Sequence, residues 1–326
     1  MDMSKSLSSV ILTAAVLFFC SVPAFAVENG TDLLVDTSFL KDKVGKSGWV
    51  ILDMRSPDEY AEGHIPGAVL LPGWISKLYA EDTKRSATVI PRLEKEIGAM
   101  GIGDDSHVIV YGSPSKTSWN AVMFWVLETM GCNSPYKGCT VHFYDGGFER
   151  WQAEGGKPEQ AETKAQATSF KAVAGAQRGA NGDEVMQVVE GQKKAMIVDA
   201  RTAAEYEGTD VRALRGGHIP KAVNIDYARN FDPESYEMLP LSELKSVYKD
   251  IPAETRVITH CQTGQRAAYT YLVLRALGYQ DVAIYHDGWR VYGSNLNLPV
   301  ENETWFDFFK VNSMMKAVQE LQSERE

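Results

Sequence analysis

One stretch of the sequence combines the residue types that nucleophilic sulfur chemistry needs. Val257-Ile258-Thr259-His260-Cys261-Gln262-Thr263-Gly264-Gln265-Arg266 runs from a short apolar segment into a helical pattern. A cysteine at a strand-to-helix junction lies among backbone N–H groups that have no helical partner. Those donors, the helix dipole and the positive charge of Arg266 all favour a thiolate. Gly264 lets the loop curl closely around the sulfur. The expectation is a low-pKa, accessible nucleophile, Cys261, in an anion-binding cradle built by Gln262, Thr263, Gly264, Gln265 and Arg266. The plain alternative is a buried structural cysteine, which needs neither the glycine nor the arginine.

The same cradle could hold a phosphoryl group or a sulfur. Cysteine phosphatases place one residue more between Cys and Arg than the four found here, Gln262 to Gln265. The smaller ring suits the outer sulfur of a persulfide better than a tetrahedral phosphoryl group. His260 flanks the nucleophile, but strand alternation points it away from Cys261.

The elements that position this loop occur twice. Trp49-Val50-Ile51-Leu52-Asp53-Met54-Arg55 resembles Met196-Ile197-Val198-Asp199-Ala200-Arg201. Glu59-Tyr60 matches Glu205-Tyr206, and Gly63-His64-Ile65-Pro66 matches Gly217-His218-Ile219-Pro220. Val108-Ile109-Val110-Tyr111 matches Val257-Ile258-Thr259-His260, which places Gly112 where Cys261 stands. Tyr144-Asp145-Gly146-Gly147-Phe148 matches Tyr285-His286-Asp287-Gly288-Trp289. A period this long signals a duplicated domain. The β-branched runs read as buried strands, and residues 118–130 and 266–277 carry helical spacing that stops at Gly131 and Gly278. Alternating strands and helices predict α/β units around parallel sheets. Asp53, Arg55, His64, Asp199, Arg201 and His218 occur in both copies, including the one without a nucleophile, and so read as scaffold hydrogen-bonders. Trp289 reads equally well as a pocket wall or as core.

These motifs resemble the tandem-domain rhodanese family of thiosulfate sulfurtransferases, over nearly all of residues 33–301. The resemblance implies two tandem rhodanese-like domains, each a parallel sheet flanked by helices, with only the second catalytic. Mercaptopyruvate-preferring relatives usually carry a Cys-Gly-(Ser/Thr)-Gly-Val loop, whereas Cys-Gln-Thr-Gly-Gln-Arg resembles the Arg-ended loops of bacterial thiosulfate enzymes. The implied function moves sulfur from thiosulfate to cyanide or a thiol through a persulfide on Cys261. Arg266 would hold the sulfonate. No cofactor is implied. A persulfide or selenium carrier serving a partner protein, a mercaptopyruvate enzyme and a phosphatase remain alternatives.

The rest of the chain sets the context. Its 326 residues are 44% hydrophobic and 23% charged, enough for two domains with their own cores. A net charge of −10 without a basic stretch argues against nucleic acid as a partner. Lys5, the apolar run Val10 to Phe19 and Ala24-Phe25-Ala26 form a cleavable secretory signal pattern over 1–26, so the chain is expected outside the cytoplasm without stable membrane insertion. In an oxidising compartment Cys132 and Cys139, close together in a turn-rich insertion, are expected to pair, which leaves Cys261 free. The six histidines show no metal spacing. The domains are expected at 27–157 and 176–301, joined by a linker over 158–175. A tail helix is expected over 302–326, from Trp305, Phe308, Phe309, Met315 and Val318 near helical spacing. The sequence leaves the oligomeric state open.

Overall fold

The computed structural model describes residues 33–71, 86–173, 178–309 and residue 313. The expected leader, 1–26, lies outside the described residues. Each sequence copy folds around a five-stranded parallel sheet. The first contains β1 (Leu34–Val35), β2 (Trp49–Asp53), β3 (Val69–Leu70), β4 (His107–Tyr111) and β5 (Thr140–Tyr144), in the order β1-β5-β4-β2-β3. The chain then adds β6 (Gly179–Ala180), β7 (Met196–Asp199), β8 (Arg215–His218), β9 (Val223–Asn224), β10 (Val257–His260), β11 (Val282–Tyr285) and β12 (Glu301–Trp305). The second sheet has the equivalent order, β6-β11-β10-β7-β9. Val/Ile-rich β4 and β10 are central and covered on both faces, as parallel strands require. Ligands of open α/β sheets bind at the carboxyl ends of such strands, and Gly112 and Cys261 occupy those two ends.

A capping box starts the helix after β2 (Ser56 with Glu59) and its counterpart after β7 (Thr202 with Glu205). Helix Thr117–Thr129 of the first domain packs along helix Gln265–Ala276 of the second, and both contribute to one apolar core that runs through the two domains. Every residue from Ala267 to Ala276 is buried, so that helix serves as the interior of the molecule rather than its surface. One ion pair lies inside this contact. Arg275 Nε and Nη2 donate to the two oxygens of Glu128, at 3.0 and 3.1 Å, and the Tyr271 hydroxyl donates to Glu128 as well.

Cys132 and Cys139 are joined by a disulfide within the first domain, and both are buried. Closing a loop with a sequence separation of 7 stabilises by about 2–3 kcal/mol in the chain-entropy model. The segment 158–173 runs along the first domain: Glu159 bridges His64, Thr168 N–H donates to the Gly98 carbonyl at 2.9 Å and Phe170 is buried.

The expected tail helix over 302–326 begins instead as a strand. Glu301–Trp305 pairs antiparallel with β8. The glycines of β8 allow this approach: a Cβ on Gly217, whose φ is +103°, would lie 2.3 Å from the Glu301 carbonyl oxygen. Most of 310–326 lies outside the described residues.

A second seam joins the Asp145–Gly146 turn of the first domain to the hairpin 231–238 of the second. Asp145 Oδ2 accepts the Met238 N–H at 2.6 Å, and Arg150 faces Glu237 at 3.5 Å. Burial pushes the Asp145 carboxyl up to about 6, with the Met238 N–H opposing the shift and Glu237 adding to it. The unfolded chain then loses this proton at lower pH than the folded one. Stability contributed by protonated Asp145 is full below the ordinary aspartate pKa and lost as pH rises through about 6. Asp145→Asn is therefore expected to raise stability by about 1–2 kcal/mol at pH 8, a value discounted for residual exposure, and by close to nothing at pH 3.5. Urea unfolding at both pH values checks this; an equal gain at both would refute the titration account.

Candidate active site

Cys261 is the first residue beyond β10, and its surroundings are built by local glycines. Gly264 adopts a left-handed φ of +93° as the N-cap of helix Gln265–Ala276, and no side chain caps that helix. Its N–H donates to Cys261 Sγ at 3.1 Å. A Cβ on Gly264 would come within 2.7 Å of the His286 ring. Behind the loop, the Trp289 and Arg290 N–H groups donate to the carbonyls of Cys261 and Gln262 at 2.8 and 3.1 Å. Gly288 permits this contact, since a Cβ there would lie 2.6 Å from the Cys261 carbonyl oxygen. The start of helix Gly288–Tyr292 thus pins the backbone of the loop.

Two expectations change here. An accessible sulfur was expected, but Cys261 is only 1% exposed, because the loop closes over it and the residue joins the core shared by both domains. Arg266 was expected to face a bound anion. Its guanidinium instead forks onto Glu205, with Nη1 to Oε2 at 2.6 Å and Nη2 to Oε1 at 2.8 Å. Burial alone would lower the Arg266 pKa; Glu205 and the sulfur of Cys261 outweigh it and hold the guanidinium above its ordinary range. Burial would raise the Glu205 carboxyl, but Arg266 holds it below the ordinary value. Both groups are charged at neutral pH, and the fork holds the Arg266 guanidinium in place on Glu205. Gln262 is likewise turned away, its Nε2 donating to the Arg212 carbonyl at 2.7 Å. Thr263 and Gln265 are exposed.

Two residues of this site were missed by the sequence reading. Glu205 carried a signal, the Glu-Tyr pair present in both copies, but nothing local connects it to Arg266. Tyr227, in the 3-10 turn Tyr227–Asn230, places its ring 5.9 Å from the Arg266 guanidinium carbon.

The shared polar residues are structural. Arg201 donates to both oxygens of Asp199 and to the Gly217 carbonyl at 2.8 Å, and Arg55 repeats this with Asp53 and Gly63. His218 stacks on Tyr206 as His64 stacks on Tyr60. His260 is fully buried, with Nε2 3.5 Å from Asp199 Oδ2, and burial lowers its imidazole pKa. Trp289 is core, donating through Nε1 to the Arg215 carbonyl at 2.9 Å. Among the described residues no cluster of His, Cys, Asp and Glu could hold a metal ion, and no helix is long and apolar enough to cross a membrane.

The equivalent place in the first domain is filled. A Cβ on Gly112 would lie 2.1 Å from Asn120 Oδ1, and Asn120 is held by a 2.9 Å hydrogen bond to the Ser113 carbonyl. Glu59, the counterpart of Glu205, binds Ser113 Oγ at 2.9 Å and Lys116 Nζ at 3.2 Å.

Comparison with known proteins agrees with this anatomy. The thiosulfate sulfurtransferase of Pseudomonas aeruginosa is 28% identical over 278 residues, covering 85% of this chain and 99% of that protein. The thiosulfate sulfurtransferase of Azotobacter vinelandii is 28% identical over 271 residues, covering 82% and 97%. Among solved structures, an anaerobic ergothioneine biosynthesis enzyme from Chlorobium limicola shares the fold with a TM-score of 0.70 at 16% identity, over 83% of this chain and 70% of that one. The family model described as the Rhodanese-like domain matches twice, over residues 36–154 and 182–295. The duplicated sheet, the single strand-end cysteine and these matches together make the chain a member of the rhodanese-like family that carries the domain in tandem.

Proposed function

We propose that the protein is a sulfurtransferase that takes the outer sulfur of thiosulfate onto Cys261 and passes it to cyanide or a thiol. The observation that carries this reading is the Gly264 N–H aimed at Cys261 Sγ, in a four-residue loop closed by Arg266 at the carboxyl end of a central strand. The relatives' activity supports thiosulfate as donor.

In the first half-reaction the Cys261 thiolate attacks the outer sulfur of thiosulfate. The bond between the two donor sulfurs breaks, its electron pair leaves on sulfite, and a cysteine persulfide remains. The Gly264 N–H and the dipole of the following helix stabilise sulfur anions at this place. Arg266, locked by Glu205, supplies a fixed positive field beside them. In the second half-reaction a nucleophilic acceptor attacks the terminal sulfur and restores the Cys261 thiolate. The near-complete cover over Cys261 limits water around the persulfide between the two steps.

Export of the mature chain is part of this proposal, and the Cys132–Cys139 disulfide supports an oxidising compartment. Mass spectrometry after thiosulfate treatment, with steady-state thiocyanate formation, tests the assignment. One added sulfur on Cys261 together with sustained turnover is the expected result. Stoichiometric loading without turnover would instead indicate a carrier, and hydrolysis of a small aryl phosphate without loading would indicate a phosphatase.

A further inference from the structure

Arg266 directs one N–H from each terminal nitrogen to Glu205, and Gln262 donates its amide to the Arg212 carbonyl. Two of the side chains expected to grip the donor are thereby committed elsewhere. Tyr227 stands on another side of Arg266. Tyr227 is fixed from behind by its own N–H, which donates to the Ala200 carbonyl at 3.2 Å, and from the side by Phe231, 5.4 Å away. Its ring lies 5.9 Å from the Arg266 guanidinium, and the side chain is partly buried against the core that contains Cys261. Burial raises the Tyr227 pKa, Arg266 opposes, and Asp226, Tyr236 and the sulfur of Cys261 add to the rise. Tyr227 thus sits on the Arg266 flank of the cysteine loop, and it keeps its proton at neutral pH.

We infer that Tyr227 determines donor specificity by offering its hydroxyl as a hydrogen-bond donor to the leaving group of the sulfur donor, favouring donors whose leaving group carries oxygen. The inference rests on the sulfur-transfer reading above. No proton is transferred: as the sulfur–sulfur bond of thiosulfate breaks, negative charge grows on the sulfite oxygens, and the Tyr227 O–H bonds more strongly to them than to the bound donor. Interactions that strengthen in the transition state accelerate the step. A donor such as inorganic polysulfide leaves as a sulfur anion without oxygen and accepts a weaker hydrogen bond.

Tyr227→Phe keeps the ring over Arg266 and removes only the hydroxyl. The test is the rate of Cys261 persulfide formation in the intact protein, measured by mass spectrometry with thiosulfate and, separately, with inorganic polysulfide. The expected result is a fall of about 10- to 50-fold in kcat/KM for thiosulfate, the size of one lost hydrogen bond to a charged group. Polysulfide loading should change by less than about 3-fold, within ordinary context effects. Equal losses with both donors would show that Tyr227 is merely structural and would overturn the inference. So would an unchanged thiosulfate rate. If the unsubstituted protein loads from neither donor, the sulfur-transfer reading itself fails, an outcome distinct from both.

Discussion

Replacing Cys261 with serine will abolish thiosulfate-dependent thiocyanate formation, with a loss of at least about three orders of magnitude. The hydroxyl is nearly isosteric and can still accept the Gly264 N–H, so the loop and the shared core should survive. Serine cannot form a persulfide, and among the described residues no second free cysteine stands ready. Cys132 and Cys139 are bonded to each other, and the first domain has Gly112 at the equivalent strand end. Thermal melts should therefore match those of the parent while turnover disappears. Retained turnover in Cys261→Ser would end the single-nucleophile account. An extra sulfur mapped to Cys132 or Cys139 after thiosulfate treatment would reverse the roles given to the two domains.

The second large effect concerns stability. Arg275→Met is expected to cost about 3–5 kcal/mol, because it strands the Glu128 carboxylate at the domain contact where the residue is 1% exposed. That corresponds to a fall of roughly 4–7 °C in Tm for a chain of this size. The double variant Glu128→Leu with Arg275→Met should recover most of the loss, since removing both charges leaves no unpaired ion. It would still leave the Tyr271 hydroxyl without its acceptor. Thermal unfolding of the parent, the single and the double variants decides the matter. A single variant as stable as the parent would show that this contact has little energetic weight. A double variant no better than the single would show that packing, not charge, dominates there.

The elements that repeat were readable from sequence because each has a local cause. The β-branched runs at Val108–Val110 and Val257–Ile258 make buried strands wherever they are placed, and Gly264 and Gly288 mark turns whose backbone excludes a side chain. The contacts that cross the molecule were not readable. Glu205 and Arg266 are 61 positions apart, and locally Glu205 is fully explained as the end of a capping box. Nothing in its neighbourhood announces a second duty. The cover over Cys261 comes from the joining of two cores, which no single window of sequence contains. Only the start of the tail misled, for another reason. Trp305, Phe308 and Phe309 lie near helical spacing, yet Glu301–Trp305 is recruited as a strand by the glycine-bearing edge of β8, and Trp305 remains largely exposed there.

Asn120 gives the cysteine-free strand end of the first domain a kind of permanence. Restoring a cysteine at position 112 would drive its Cβ into a buried amide held by the Ser113 carbonyl. Shrinking Asn120 first would open a void and free that carbonyl while nothing yet uses the space. Either order passes through a less stable protein before any second nucleophile could work. The path from one reactive centre to two is thus a two-step climb with a barrier at each starting move, and the asymmetry between the halves resists reversal by any single substitution at either position.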